Sequence, residues 1–334
     1  MDPVLGTMLS ILGAQLAGLV ALERATPRRR GGIWLAPRTN APKRATEVWF
    51  LRYALVWVGA FALIIGLELY ETFTAWTYFW VCGGLALPLV LQPVVYPRLT
   101  LDHEAPLAQR YAVKANVWLG IFGFVGNYWY THYFYSVLGA AYTMPAHRFN
   151  DVPYCMFFAT HFYFCFYHVL SNCALRRIAT GYRPGAWRLA LRIGTIGAMA
   201  YLTAFLETLT ISGFPYYTFA DRDRAYTVGS AFYGLYFVVS FPAFFSVDEV
   251  KTGTHALGRV VIEALAAAMA VLQLLDAVRL FLGIPLVIRV ARPGAAAGGL
   301  NSEVLYTARP VPGVRADKPN PPLQAFTLAS SAPP

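Results

Sequence analysis

The chain has 334 residues, of which 57% are hydrophobic and 13% are charged. Because globular proteins carry about 25% charged residues, this composition excludes an ordinary soluble protein and predicts an integral membrane protein. The net charge of +10 comes from 27 basic and 17 acidic residues. The basic residues gather in loops between apolar stretches, so they indicate membrane topology rather than nucleic-acid binding.

Apolar stretches of about 20 residues, the length that crosses a bilayer, recur along the chain. The first, at 4–22, is followed by a basic segment and is predicted to be an uncleaved anchor within an N-terminal region at 1–47. We therefore predict an all-α fold, a polytopic transmembrane helix bundle of about seven to eight spans, with its transmembrane domain at 48–290. The seven main spans are 48–70, 76–96, 115–137, 154–175, 188–211, 226–247 and 259–286.

The end of the chain differs in composition. The last span carries Asp276 and Arg279, and it is either one tilted helix or a helix followed by a turn at Pro285. Residues 291–334 are rich in Pro, Gly, Ala and Ser and are predicted to form a disordered tail. The four cysteines fall within spans without a CxxC pair, which indicates packing residues rather than a disulfide framework or a zinc site.

The distribution of basic residues among the loops predicts how the chain is oriented in the membrane. The loops at 23–52, 97–114, 176–188 and 248–259 hold seventeen Lys and Arg residues, against three in the alternate loops. Since positive residues favour the cytosolic side, residues 23–47 and every second loop after them are predicted to face the cytosol.

This topology places several ionisable side chains at one depth, near the non-cytosolic ends of four spans. They are Glu68, Glu71, His132, His161 and Glu207. Ionisable groups in hydrocarbon cost at least about 2.5–3.5 kcal/mol each on insertion scales, so we expect them to face the bundle interior and to act there. Helix-to-helix hydrogen bonding remains an equal alternative for the histidines, and simple solvation remains one for Glu68 and Glu71.

Several chemistries are excluded by the motifs. Six histidines, the closest pair being His161 and His168, are too few for the histidine boxes of membrane di-iron enzymes. No GxGxxG, GxxxxGK[ST] or GxSxG motif occurs, so neither a nucleotide cofactor nor a serine hydrolase is indicated. The remaining acids, imidazoles and amides among aromatic residues suit proton transfer on a lipid-soluble substrate.

Five blocks of the sequence, taken together and in this order, resemble one known family. They are "LYETFTAW" (69–76), "RYAVKANVWLGIFGFVGNYWYTHYFYSVLGAAYTMP" (110–145), "FFATHFYFCFYHVLSNCALRR" (157–177), "AFLETLTISGFPYYTFADR" (204–222) and "GSAFYGLYFVVSFPAFFSVDE" (229–249). The family that they resemble is the cycloeucalenol cycloisomerases, the cyclopropyl sterol isomerases of plants and green algae. The resemblance covers roughly residues 48 to 250 and leaves out the basic N-terminal region and the tail. Glu68 lies just outside the first block, which favours Glu71 over Glu68.

The resemblance implies opening of the 9β,19-cyclopropane ring of a sterol such as cycloeucalenol, giving the Δ8-sterol obtusifoliol. It implies no metal and no redox cofactor, and it implies a multi-pass protein of the endoplasmic reticulum membrane. The expected partners are therefore a cyclopropyl sterol and the lipid bilayer, with no nucleic acid and no nucleotide cofactor.

One acid and one base suffice for this reaction. Glu207 is the predicted acid, because desolvation in an apolar pocket favours a neutral carboxyl that can donate a proton. His161 or His132 is the predicted base, and Glu71 could exchange roles with Glu207.

The other predicted site residues would bind the substrate. Asn127, His168 or Asn172 would bind the sterol 3-hydroxyl. Aromatic faces would stabilise the developing cation; the candidates are Tyr128, Trp129, Tyr133, Phe162, Tyr216 and Tyr233.

Three other functions stay open on the sequence. A sterol-binding or sensing protein would share the aromatic cavity without needing an acid, so it should tolerate glutamine at Glu207. A transporter or channel would also carry buried acids and histidines, although no clear repeat relates the two halves of the chain. A different lipid isomerase would use the same acid and base, and only substrate trials separate it.

Overall fold

The computed structural model describes residues 3–212, 216–249, 254–286, 288–291 and 302–306. In this part of the chain, long helices form a bundle and the only sheets are three two-stranded pairings. The predicted all-α membrane bundle is confirmed. The helices are α1 (Pro3–Ala25), α2 (Ala41–Gly66), α3 (Ala75–Val95), α4 (Tyr111–Val125), α5 (Thr131–Leu138), α6 (Tyr154–Gly181), α7 (Ala186–Ser212), α8 (Arg222–Arg224), α9 (Ser230–Ser246) and α10 (Leu257–Phe281).

Two of the long helices contain a π-helical segment. Gly126–Tyr130 joins α4 to α5, and Ala225–Gly229 joins α8 to α9. A π turn closes its hydrogen bonds over five residues instead of four, so it changes which side chains face inward beyond it, and such segments are frequent at functional sites. Both segments contribute to the cavity described below.

Six helices in the described residues are long and apolar enough to cross a membrane, judged by length and composition. They include α1, which packs along α7. The helix α6 is equally long but is not among the six, because it carries histidines, an asparagine and two arginines along its length. It packs against α2, α3, α4, α7 and α9, so its two histidines and Asn172 are buried inside the bundle.

Short pairings close the end of the bundle that the loop charges assign to the non-cytosolic side. The helix α5 ends at Gly139, whose φ of +58° favours glycine, and a Cβ there would lie 2.5 Å from the Ala220 Cβ. The loops beyond it pair: β1 (Ala141–Tyr142) runs antiparallel to β4 (Tyr217–Thr218), with Tyr142 opposite Tyr217. A hairpin of β2 (Arg148–Phe149) and β3 (Val152–Pro153) precedes α6.

The predicted last span ends in a turn. The helix α10 stops at Phe281, and Gly283 follows with a φ of +66°. Asp276 and Arg279, which looked out of place in an apolar span, form an ion pair of 2.6 Å within the helix. Beyond it, β5 (Ile288–Ala291) pairs with β6 (Ser302–Tyr306), which falls inside the predicted tail. The rest of the predicted disordered tail lies outside the described residues.

A charged cluster ties together the helix ends that the loop charges assign to the cytosol. Arg176 on α6 contacts Glu47 on α2 at 2.7 Å and Glu249 at 2.6 Å, and Lys43 contacts Glu249 at 2.9 Å. Arg176 is 1% exposed and Glu47 is fully buried. Because buried charges are tolerated only when they are paired, this cluster fixes the relative positions of α2, α6 and the segment after α9.

A second ion pair completes the charged cluster. Lys114, in the first turn of α4, contacts Asp248 at 2.8 Å, and the His255 backbone N–H donates to the same carboxyl. Burial alone would raise the pKa of Asp248, but the hydrogen bonds from Lys114 and His255 outweigh it and hold that pKa below its ordinary value. The stabilisation from this pair is therefore present at neutral pH and is lost as the pH falls through the lowered pKa.

Replacing Arg176 with glutamine should destabilise the fold strongly. The change leaves the buried carboxylate of Glu47 without its ion-pair partner and leaves Glu249 paired with Lys43 alone; breaking a buried ion pair costs about 3–5 kcal/mol. We expect the melting temperature of the detergent-purified Arg176→Gln protein, followed by tryptophan fluorescence, to fall by several degrees. The control is Arg52→Gln, since Arg52 is exposed on α2; equal melting temperatures for the two variants would contradict the role of the charged cluster.

Candidate active site

A cavity of about 70 Å³ lies in the half of the bundle opposite the charged cluster, and we call it the Glu207 cavity. Glu207 and Thr208 reach it from α7, and Met156, Thr160 and Phe164 reach it from α6. Both π-helical segments border it, and the β1 and β4 tyrosines close one side. Its remaining lining residues are Gly126, Asn127, Thr131, Phe134, Leu138, Tyr142, Tyr217, Phe219, Ala225, Gly229, Tyr233 and Tyr236.

Glu207 is held by a phenol from the neighbouring helix. The Tyr233 hydroxyl donates to Glu207 Oε2 at 2.8 Å. Tyr233 lies on α9, which packs along α7, and its ring contacts those of Phe134 and Tyr236 with centroids 5.5 and 4.8 Å apart. The hydrogen bond therefore fixes one carboxyl oxygen of Glu207 and leaves the other, Oε1, outside this bond.

Amide and hydroxyl groups form a second polar part of the cavity. Asn127, in the first π-helical segment, donates through Nδ2 to the Gly123 carbonyl and to Thr160 Oγ1, both at 2.9 Å. Both hydrogen bonds that it makes within the described part of the chain use Nδ2, so the Asn127 carbonyl oxygen can accept another. Thr208 donates to the Ala204 carbonyl at 2.8 Å.

Glu207 is the one carboxyl group among the described residues that line this cavity, and none of those lining residues is a histidine, lysine, arginine or cysteine. The remaining ionisable lining groups are the phenols of Tyr142, Tyr217, Tyr233 and Tyr236. Such a cavity combines one proton-transfer group with aromatic walls. It can protonate a bound hydrocarbon and surround the resulting cation, provided that the substrate reaches Glu207.

The structure places the two candidate bases outside this lining. His161 faces α4, where its Nε2 lies 2.8 Å from Asn116 Oδ1, beside Gly120 and Gly123. His132 is fully buried on α5, and its ring packs edge-on against Tyr135. Neither imidazole lines the Glu207 cavity, although both lie on helices that border it.

Of the three candidate partners of the sterol hydroxyl, one lines the Glu207 cavity and two do not. Asn127 lines the cavity, whereas His168 lies deeper in an aromatic shell and is bonded to the Phe164 carbonyl and to Ser240 Oγ, each at 2.9 Å. Asn172 is fully buried, and its amide makes no hydrogen bond within the described residues.

Glu71 and Glu68 lie away from the cavity. Glu71 belongs to a short 3₁₀ turn, Leu69–Thr72, and Glu68 precedes that turn; both side chains are exposed. The structure therefore does not assemble the predicted layer of acids and histidines into one pocket.

Among the predicted aromatic residues, Tyr233 alone lines the Glu207 cavity. The Tyr133 hydroxyl donates to Asp276 at 3.2 Å, which explains how the charged pair in α10 is accommodated. Phe162 is fully buried against Trp57 and Phe61. The other three lie elsewhere: Tyr128 packs against Phe124 and Phe149, Trp129 is 40% exposed, and Tyr216 packs against Tyr70.

Sequence reasoning missed several lining residues. Tyr142 and Tyr217 come from loops 75 positions apart that meet only through the β1 and β4 pairing. Thr160 lines the Glu207 cavity, whereas the next residue, His161, does not. The position of Thr208 directly after Glu207 could have indicated a lining residue. Threonine is common in membrane spans, however, so by itself it does not indicate a site.

The fold and the Glu207 cavity define a multi-pass helical membrane protein with a carboxyl group among the aromatic walls of a cavity. The chain is 44% identical over 254 residues to a curated protein of Arabidopsis thaliana named cycloeucalenol cycloisomerase; the match covers 75% of this chain and 90% of the relative. The chain belongs to the cycloeucalenol cycloisomerase family and is an isomerase of sterol biosynthesis, which confirms the resemblance found in the sequence. No family model matches the chain, and no solved structure matches it.

Proposed function

We propose that this isomerase opens the 9β,19-cyclopropane ring of cycloeucalenol to give obtusifoliol, with Glu207 as the proton donor. The observation that carries the proposal is the position of Glu207: it is the one carboxyl group among the described lining residues of an aromatic cavity, and Tyr233 holds it at 2.8 Å. The proposal also rests on the similarity to the Arabidopsis thaliana protein.

The first step is proton transfer to the ring. Glu207, neutral in the apolar cavity, donates its proton to the cyclopropane methylene C19 as the bond between C9 and C19 breaks. The electron pair of that bond forms the new C19–H bond, so C19 becomes a methyl group and C9 becomes a tertiary cation. The Tyr233 hydroxyl stabilises the carboxylate left on Glu207, because a hydrogen bond to a charged group is worth about 1.5–3 kcal/mol.

The cavity walls suit the cation that follows. Aromatic faces stabilise a nearby cation by about 0.5–2 kcal/mol each without bonding to it. Phe134, Phe164 and Tyr236 supply such faces around the cavity. Two of the lining hydroxyl groups are held in place by hydrogen bonds: Thr208 donates to a backbone carbonyl, and Tyr233 donates to Glu207.

The second step is loss of the C8 proton. Neither His132 nor His161 lines the Glu207 cavity, so we assign the base role to the Glu207 carboxylate that the first step creates. The electron pair of the C8–H bond becomes the Δ8 double bond, the C9 cation is neutralised and Glu207 returns to its protonated form. Acid and base are then one residue, and the reaction is an isomerisation without net proton uptake.

The sterol 3-hydroxyl needs a polar partner at one end of the substrate. Asn127 lines the cavity, and its two hydrogen bonds within the described part of the chain use the amide nitrogen and not the carbonyl oxygen. We assign the 3-hydroxyl to this acceptor. As an isomerase of sterol biosynthesis with multiple membrane helices, the protein would act in the endoplasmic reticulum membrane.

Substrate feeding tests the proposal. The chain is expressed in a sterol-auxotrophic yeast, cycloeucalenol is supplied, and extracted sterols are separated by gas chromatography and identified by mass spectrometry. We expect obtusifoliol to accumulate only in cells that express the protein. If cycloeucalenol is recovered unchanged while the protein is present in membranes, the proposed reaction is wrong.

A further inference from the structure

A second cavity adjoins the Glu207 cavity and differs from it in character. This apolar cavity has a volume of about 130 Å³ and lies between α2, α3 and α6. It shares three wall residues with the Glu207 cavity, namely Tyr142, Met156 and Tyr217. The rings of Tyr142 and Tyr217 lie 4.6 Å apart at the pairing of β1 with β4, so two tyrosines and one flexible methionine form the common wall.

Volume shows why the Glu207 cavity is insufficient by itself. Pockets that enclose drug-sized ligands have volumes of about 300–1,000 Å³, whereas the Glu207 cavity has about 70 Å³. A four-ring sterol with its side chain cannot be contained there. The substrate must extend beyond the common wall, and the apolar cavity is the space directly behind that wall.

The linings of the two cavities indicate which end of the sterol goes where. The Glu207 cavity offers Asn127, Thr131, Thr160 and Thr208. The apolar cavity is lined by aliphatic, aromatic and sulfur-containing side chains and contains no carboxylate, amide, imidazole or basic side chain among its described residues. Burying hydrocarbon there is favourable, at about 25 cal/mol per Å² removed from water, and apart from tyrosine phenols and thiols its described lining offers no polar side-chain group to a 3-hydroxyl.

We propose that the apolar cavity is the subsite for the C-17 hydrocarbon side chain of the sterol substrate, with Tyr142, Met156 and Tyr217 forming the passage to the Glu207 cavity. This assignment rests on the proposed function. The 3-hydroxyl end then lies toward Asn127 and the cyclopropane lies beside Glu207. Ile65 of α2, at the rim of the apolar cavity, is 49% exposed, so the subsite opens toward the side of the bundle that faces lipid.

Narrowing the apolar cavity should select against long side chains. Val81 on α3 lines it and is partly buried, so Val81→Phe reduces its volume. The matched control is Leu85→Phe, since Leu85 lies one turn further along α3, is partly buried and does not line the cavity. The two substrates are cycloeucalenol and an analogue that lacks the C-17 side chain.

We expect Val81→Phe to lower kcat/KM for cycloeucalenol by at least about tenfold, the scale on which hydrophobic pockets discriminate size. The shortened analogue should be converted at the rate of the unmodified protein, and Leu85→Phe should leave both rates unchanged. Equal losses on both substrates, or no loss on either, would overturn the subsite. If the unmodified protein converts neither substrate, the proposed function fails instead.

Thiol protection tests the same subsite without turnover. Cys82 and Cys155 line the apolar cavity, whereas Cys173, which is 9% exposed, lines neither cavity. In the Glu207→Gln protein, cycloeucalenol at ten times its dissociation constant should slow alkylation of Cys82 and Cys155 by N-ethylmaleimide by about tenfold. Alkylation of Cys173, followed by peptide mass spectrometry, should not change. Unchanged rates at Cys82 and Cys155 would overturn the proposal.

Discussion

Replacing Glu207 with glutamine should slow ring opening by orders of magnitude and leave the protein folded. The amide has the same shape, and its carbonyl oxygen still accepts the hydrogen bond from Tyr233, but it cannot donate a proton to carbon. Positioned acids contribute about 10²- to 10⁴-fold to reaction rates, so we expect a loss of that size. The measurement is kcat/KM of the purified protein for cycloeucalenol, with the quantity of membrane-inserted protein matched between variants.

The control for this substitution is Glu71→Gln. Glu71 is the other carboxyl group that the sequence brings forward, but its side chain is exposed on a 3₁₀ turn away from the Glu207 cavity. We expect Glu71→Gln to retain the activity of the unmodified protein. If Glu71→Gln is inactive and Glu207→Gln is active, the acid has been assigned to the wrong carboxyl group. Activity in both variants would contradict catalysis by either of these two carboxyl groups.

Removing the Tyr233 hydroxyl should slow the reaction without preventing substrate binding. Tyr233→Phe deletes the hydrogen bond to Glu207 Oε2 and keeps the ring that packs against Phe134 and Tyr236. Because this bond stabilises the carboxylate formed in the transition state, its loss of about 1.5–3 kcal/mol corresponds to a roughly 10- to 150-fold lower kcat.

Comparing the change in kcat with the change in KM distinguishes this positioning role of Tyr233 from a purely structural one. We expect KM for cycloeucalenol to stay within about twofold, because an interaction made mainly in the transition state lowers kcat and kcat/KM together. The matched control is Tyr128→Phe, since Tyr128 does not line the cavity. An unchanged kcat for Tyr233→Phe would show that the hydrogen bond does not assist the reaction.

The membrane helices were predictable because they depend on a coarse property, the length of apolar stretches. Predicted spans and observed helices agree for α2, α3, α6 and α7, with ends that differ by a few residues where helices continue into the loops. Glu207 was predictable for a related reason, because a carboxylate in hydrocarbon is costly and draws attention wherever it occurs.

The directions of the side chains were not predictable in the same way. Sequence position gives the depth of His132 and His161 in the bundle, but depth does not say which neighbouring helix a side chain faces. The π-helical segment at Gly126–Tyr130 adds to this difficulty, because His132 follows it. The extra residue in a π turn changes the direction, around the helix axis, of every side chain that follows. Tyr142 and Tyr217 were missed because a pairing of two residues per strand leaves no periodic signal.

Isotope labelling tests the central claim, that Glu207 delivers a proton to C19. Purified protein in excess over cycloeucalenol is equilibrated in deuterium oxide and allowed a single turnover, and the product is analysed by mass spectrometry and deuterium NMR. A deuterated Glu207 predicts obtusifoliol with one deuterium in the C19 methyl group, and no product from Glu207→Gln. Obtusifoliol without deuterium at C19 would mean that the hydrogen moves within the substrate, and it would contradict Glu207 as the donor.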